Sequence, residues 1–210
     1  MKNRILFLCF LACSLTAKSQ TAAHCLTTMP DERIPGISVD TRKDLIDFYQ
    51  NGKRSVMPAA FGGKVQLKVL EPDFLLLQTS ESADLQLKIL MLGDSSRVLA
   101  VIRSAAAPLR DSRVSFFTLD WKPLQKAIMP RFAINDFLDL IKAGTLGLEN
   151  RLNAFGPRLL VDIRFKPAEN AFVAKSSLRA DLEKAQSETL GALVRDSVVY
   201  RWNGSRFQPE

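Results

Sequence analysis

The sequence predicts an α+β fold in which a predominantly antiparallel, twisted sheet packs against two to four helices. Three observations predict it. Between Gly62 and Leu119 apolar residues recur at every second position, in runs too closely spaced to hold the crossover helices of a parallel sheet. On either side of that stretch the apolar spacing changes to three and four, the period of an amphipathic helix. The 210 residues are 47% hydrophobic and 24% charged, with 10 Gly and 10 Pro, a composition of one or two globular domains that argues against a disordered or fibrous chain.

Residues 1–19 read as a secretory leader. Lys2 and Arg4 precede an apolar run from Ile5 to Ala12, and Ala17-Lys18-Ser19 supplies the small-x-small pattern of signal cleavage, placing Gln20 at the mature N-terminus. The run is short for a permanent span, and no later stretch reaches the ~20 apolar residues that a membrane helix needs. The expected location is therefore exported, periplasmic or outer-membrane associated, with no transmembrane segment in the mature chain. Lipidation at Cys13 is the lesser alternative, since a lipobox wants Leu where this chain has Phe10. Residues 20–39, with Pro30, Pro35 and Gly36, read as an extended lead-in.

Residues 40–210 then read as one α+β domain, with 40–126 and 127–210 as candidate halves because a helix-then-strands order occurs twice. Asp40-Thr41 predicts a helix start with Asp44 as capping-box partner; Leu45, Phe48 and Tyr49 carry its face, and Asn51-Gly52 its stop. Gly62-Gly63 turns the chain into strands centred on Val65–Val69, Phe74–Gln78, Leu85–Ile89, Val98–Ile102 and Val114–Leu119. Their alternation with Gln66, Lys68, Gln86 and Lys88 predicts one packed face and one wet face. Ile134, Phe137, Leu138 and Ile141 predict a second helix capped by Asn135 and ended by Gly144, and residues 146–155 another turn or two. Val161, Ile163 and Phe165 predict a strand paired with Ala171–Ala174. Ser176-Ser177 predicts a helix start carrying Leu178, Leu182 and Ala185, and Val198, Tyr200 and Trp202 a last strand running into Asn203-Gly204.

Composition excludes several chemistries. One His and three Cys are too few for a zinc cluster, and His24 is the only imidazole available to a Ser-His-Asp triad. No metal or other cofactor is expected. Gly62-Gly63-Lys64 lacks the earlier Gly and the following Ser or Thr of a phosphate loop; those positions hold Pro58 and Val65. The formal charge falls from +7 to +4 once Lys2, Arg4 and Lys18 of the leader are removed, too little for a nucleic-acid footprint. Cys25 is left alone when Cys9 and Cys13 go with the leader, so no intramolecular disulfide can form.

Phe61-Gly62-Gly63-Lys64, the run Leu75 to Ser82, Ala107-Pro108 with Asp111-Ser112-Arg113, Phe116-Phe117 with Asp120-Trp121, and Tyr200-Arg201-Trp202-Asn203-Gly204 together resemble an uncharacterised family of exported Bacteroidetes proteins, a domain of unknown function. The resemblance spans most of the mature chain. It implies an envelope or secreted location and no particular reaction.

The candidate binding residues fall in two places. With Asn203-Gly204 as a two-residue hairpin loop, Trp202 faces Ser205, Arg201 faces Arg206 and Tyr200 faces Phe207. This puts two aromatic rings, Tyr200 and Trp202, on one side and Arg201 and Arg206 on the other. Asp111 and Arg113, placed between strands, form a compact charge pair suited to fixing a turn or meeting a ligand. Asp44 with Asp47, and Asp136 with Asp139, are carboxylate pairs at helical spacing that read as solvated faces, and no catalytic residue is assigned. The expected function is a non-catalytic binding or interaction module of the cell envelope, recognising a protein, peptide or glycan through a sheet face or strand edge. The alternative is a carboxylate-dependent hydrolase of envelope glycan or peptide.

Overall fold

A computed structural model of the chain describes residues 20–106, 108–125, 128–148, 159–180, 182 and 188–210. The expected leader, residues 126–127, residues 149–155 and Ala185 of the helix expected after Ser177 lie outside the described residues. The architecture is α+β, with two antiparallel sheets. Helices α1 (Ala22–Thr28) and α2 (Val39–Gln50) precede strands β1 (Val56–Pro58), β2 (Lys64–Leu70), β3 (Phe74–Gln78), β4 (Ala83–Met91), β5 (Arg97–Ala106) and β6 (Arg110–Phe117), which form a six-stranded meander in chain order. A short helix α3 (Leu140–Thr145) follows. Strands β7 (Val161–Lys166), β8 (Ala171–Ser176), β9 (Val198–Trp202) and β10 (Phe207–Pro209) make a four-stranded sheet, again in chain order.

The layers follow from side-chain parity. Leu85, Leu87 and Ile89 of β4, with Leu99 and Val101 of β5, face α1 and α2 and close one core with Leu26, Leu45 and Ile46. Residues of the opposite parity, Leu90, Val98, Ala100 and Ile102, face the four-stranded sheet and pack with Phe165, Phe172, Tyr200 and Trp202. Both faces of the larger sheet are therefore covered, and the expected wet face is not wet. Gln86 and Lys88 are each 2% exposed. Their polar groups are satisfied by backbone of the second sheet and its turn: Gln86 Nε2 donates to Ile163 O (3.1 Å), Gln86 Oε1 accepts from Phe165 N (2.9 Å), and Lys88 Nζ donates to Pro167 O (2.6 Å). Alternation marks which side chains share a face, and a second sheet carrying unpaired backbone can cover the polar set as well as water can.

The lead-in is not extended. Thr21 caps α1, Ala22 N donates to Pro72 O (2.8 Å), and a 3₁₀ turn spans Asp31–Arg33. Its organiser is Arg42 of α2, fully buried, whose guanidinium donates to Ser38 O (3.2 Å), Leu26 O (3.2 Å), Met29 O and the Asp31 carboxylate. A charged residue at an apolar helix position gave no local sign of that duty. Helix α2 begins at the Ser38 cap, two residues before Asp40, and stops as expected at Asn51-Gly52.

The expected helix over 134–144 is broken. A 3₁₀ turn covers Ile134–Phe137, Leu138 is extended and bridges to Val194, and α3 restarts from the Asp139 cap, leaving Ile141 83% exposed. Ser176 ends β8, and Ser177 opens a tight turn closed by Ala180 N to Ser177 O (2.8 Å).

Candidate functional site

At the end of the larger sheet where the β1–β2 and β3–β4 turns lie, a cleft of about 650 Å³ opens beside the Arg33–Ile37 segment. Sheet register builds its floor. Leu85, Arg103 and Arg113 are successive cross-strand partners on β4, β5 and β6, and Ala83, Ala105 and Asp111 form the next row on the same face. Ile34 and Ile37 supply an apolar wall. Phe61, 83% exposed at the β1–β2 turn, forms the rim, its ring resting where Gly36 has no Cβ; an added Cβ would lie 2.7 Å from the ring. A second depression of about 440 Å³ runs on past Phe117 and Leu124, and it shares Arg33 and Arg113 with the first.

Three arginines thus line one concave surface. Arg33 lies over the Phe117 ring with 4.3 Å to its centroid, and its carbonyl accepts from Arg103 Nη2 (2.8 Å). Partial burial, and then the neighbouring Arg33 charge, hold the Arg103 pKa below the ordinary guanidinium value. Among the described residues none of the three forms an ion pair, whereas Arg110, Arg164 and Arg201 of the strands all do. The acids at the cleft are engaged elsewhere. Asp84 Oδ2 is held by Arg110 and Arg164 on the opposite face of the strand, and Asp111 Oδ1 accepts from Val161 N (3.1 Å).

The structure brings Asp111 and Arg113 into this cleft, though not as a turn: both lie within β6, because β5 runs on to Ala106 and the connection is only 107–109. Arg33 and Arg103 were missed. Arg33 sits in the lead-in and Arg103 follows the apolar run Val98–Ile102; cross-strand register joins Arg103 to Arg113 and the packing of the lead-in adds Arg33, neither of which the sequence states.

The terminal hairpin has a different geometry from the expected one. Trp202 faces Phe207, Arg201 faces Gln208 and Tyr200 faces Pro209. The loop holds four residues, because Asn203 Oδ1 accepts from Ser205 N (3.0 Å) and Arg206 N (2.9 Å), closing an Asx turn in place of a two-residue turn. Tyr200 stacks on Phe172 at 5.0 Å, and Trp202 Nε1 donates to Met91 O (2.6 Å). Both rings are buried core and present no surface to a ligand. Burial, and then the Asp136 charge, raise the Tyr200 pKa. Arg201 is paired with Glu210 and Glu169, while Arg206 is exposed on the loop, remote from Arg201 in register.

The carboxylate pairs stay apart from the cleft. Asp44 and Asp47 are exposed on α2; Asp136 accepts from Ala133 N (2.7 Å) and Asp139 from Lys142 N (3.0 Å), both as caps. Among the described residues no group of three His, Cys, Asp or Glu side chains could hold a metal ion, and no helix is long and apolar enough to cross a membrane.

A family model described as protein of unknown function (DUF3256) matches residues 14–207. The chain belongs to the DUF3256 family. No curated protein matches it. A solved structure of a domain of an uncharacterized protein from Porphyromonas gingivalis W83 is similar at TM-score 0.73 and 22% identity, over 90% of this chain and 96% of that one. At that identity the likeness extends the two-sheet fold of this DUF3256 member to the other protein and says nothing of ligands.

Proposed function

We propose that the protein is an exported, non-catalytic binding module that takes its ligand in the cleft between the Arg33–Ile37 segment and the ends of β4, β5 and β6. The observation that carries this reading is the cleft itself: about 650 Å³, within the range of small-ligand sites, with apolar walls and a few polar groups that structural bonds leave over. The strand edges support the choice. Edge strands β1 and β10 are three residues each and end in or contain Pro58 and Pro209, which offer a partner strand little ladder. On β7, the outward N–H groups of Val161, Ile163 and Phe165 are already taken by Asp111, Ser112 and Gln86. At these three edges recognition by strand addition therefore has less support than recognition in the cleft.

The test fills the cleft. Ala105→Trp places an indole on the floor, and Arg201→Ala alters the outer face of the smaller sheet. Titrating short peptides, glycan fragments and small organic acids against isotope-labelled protein should shift amide resonances around Ala83, Ala105 and Arg113, and Ala105→Trp should abolish the response while Arg201→Ala leaves it intact. A response that ignores Ala105→Trp defeats the proposal. Export is checked by fractionating cells and sequencing the mature N-terminus, with Gln20 expected.

A further inference from the structure

We propose that the ligand of this cleft is a small organic anion, a carboxylate borne on an apolar body, held by Arg103 and Arg113 with Arg33 beside them. The inference rests on the cleft being the binding site and adds the chemistry of what enters it.

The argument starts from charge. Arg103 and Arg113 are direct cross-strand partners, so two like charges stand on adjacent strands of one face, an arrangement that costs stability unless something of opposite sign lies between them. Arg33 adds a third positive group close enough to disfavour the charge on Arg103. Three strand arginines elsewhere meet acids: Arg110 pairs with Asp84 and Asp162, Arg164 with the same two, and Arg201 with Glu169 and Glu210. Among the described residues those at the cleft do not. Asp111, two residues from Arg113 on the same face, makes no ion pair with it and instead holds Val161 N. Asp84, also at the cleft, is neutralised by two arginines of its own. The lining is therefore electropositive with guanidinium donors unassigned, and a guanidinium fork matches a carboxylate in two parallel hydrogen bonds.

The apolar requirement comes from the walls. Ile34, Ile37, Leu85 and Ala105 line the cleft together with the arginines, and Phe61 completes the apolar lining at its rim. A bare inorganic anion would leave that surface wet, whereas an aliphatic or aromatic body on the acid would cover it. The same acid-on-apolar chemistry occurs in an acyl chain and in the C-terminus of an apolar peptide.

The probes separate these sources and the claims. Octanoate and acetyl-dileucine are titrated calorimetrically into the purified protein, each beside its neutral amide and beside inorganic phosphate. At least one carboxylate should bind ten times or more tighter than its amide and than phosphate; which one does so tells acyl chain from peptide terminus. Arg113→Gln and Arg103→Gln should each remove most of that difference while leaving the amide unchanged. Arg113 is exposed and makes no structural bond among the described residues, so Arg113→Gln should fold as the parent does, which circular dichroism and the melting temperature verify. Equal affinity for acid and amide, tighter binding of phosphate, no binding of either carboxylate at millimolar concentration, or indifference to Arg113→Gln each overturns the proposal. Amide binding as tight as the acid's, abolished by Ala105→Trp, would defeat the anion assignment yet leave the cleft as the binding site; binding of any probe that ignores Ala105→Trp removes both.

Discussion

Arg42→Met tests whether one guanidinium holds the cleft wall in place. Arg42 is 0% exposed and bonds three backbone carbonyls, Ser38, Leu26 and Met29, as well as the Asp31 carboxylate. Methionine fills much of the same volume and supplies no donor. Asp31 is largely exposed, so its pairing contributes little, and the cost comes from the interior carbonyls. An unsatisfied buried polar group costs about 1–3 kcal/mol, and part of that is recovered wherever water reaches the carbonyls at the end of α1. A net loss of about 2–4 kcal/mol is expected, because Met29 O loses its donor outright while Ser38 O and Leu26 O each keep a backbone N–H donor. At roughly 2–4 °C per kcal/mol for a chain of this size, melting should fall by about 4–16 °C. Arg42→Lys should recover less than half, since one ammonium cannot reach three divergent carbonyls. Denaturant titration gives the free energy, and hydrogen exchange gives its location: amides of α1 and of residues 31–37 should open ahead of the two sheets. A loss below about 1 kcal/mol, or exchange that quickens uniformly, would show that Arg42 is not what anchors the segment.

Two further outcomes follow from buried groups. Gln86→Leu leaves Ile163 O and Phe165 N without their side-chain partners between the sheets and should cost about 2–4 kcal/mol in denaturant titration, whereas the conventional view of Gln86 as a wet-face residue expects no loss. Burial pushes the Cys25 thiol up to about 11 from 9.0, opposed by the Arg97 charge, so the fold prefers the neutral thiol and its contribution is complete below pH 9 and lost between 9 and 11 as the unfolded chain ionises first. Across that window the parent should lose roughly 2–3 kcal/mol more than Cys25→Ala does, and parallel pH–stability curves for the two proteins would refute the assignment.

Legibility in the sequence tracked how local the cause was. The meander was readable because each strand carries its own period and each gap its own Gly, Pro or Asp, and the β7–β8 hairpin because Ile163 and Phe165 face Ala174 and Phe172 in the simplest register. The helix expected through Leu138 failed for a nonlocal reason: Leu138 pairs with Val194, fifty-odd residues away, and a distant bridge overrode a helical period. The terminal hairpin failed on turn chemistry, where the Asn203 side chain closes a four-residue loop and shifts every partner. Half of the cleft was found, Asp111 and Arg113, because the charged run Arg110-Asp111-Ser112-Arg113 stands out between apolar strands. The other half, Arg33 and Arg103, becomes a site only through the pairing of β5 with β6 and the placing of the Arg33–Ile37 segment beside them, Ile34 and Ile37 buried.

Strand β6 shows how one short sequence serves both cohesion and recognition. In Arg110-Asp111-Ser112-Arg113 the even-numbered residues face the smaller sheet: Arg110 clamps Asp84 to Asp162, and Ser112 accepts from Ile163 N (2.9 Å) while bonding Ser104 (2.7 Å). The odd-numbered residues face the cleft, and only Asp111, at the strand edge, also reaches the second sheet. Because successive side chains of a strand point to opposite faces, a charge needed for holding the sheets together and a charge left open for a ligand can sit three residues apart without competing for one partner. That division accounts for an exposed arginine without an acid three residues from a half-buried one with two. It also explains why counting charges along the chain, where the excess is +7, or +4 without the expected leader, gave no sign of a locally positive cleft.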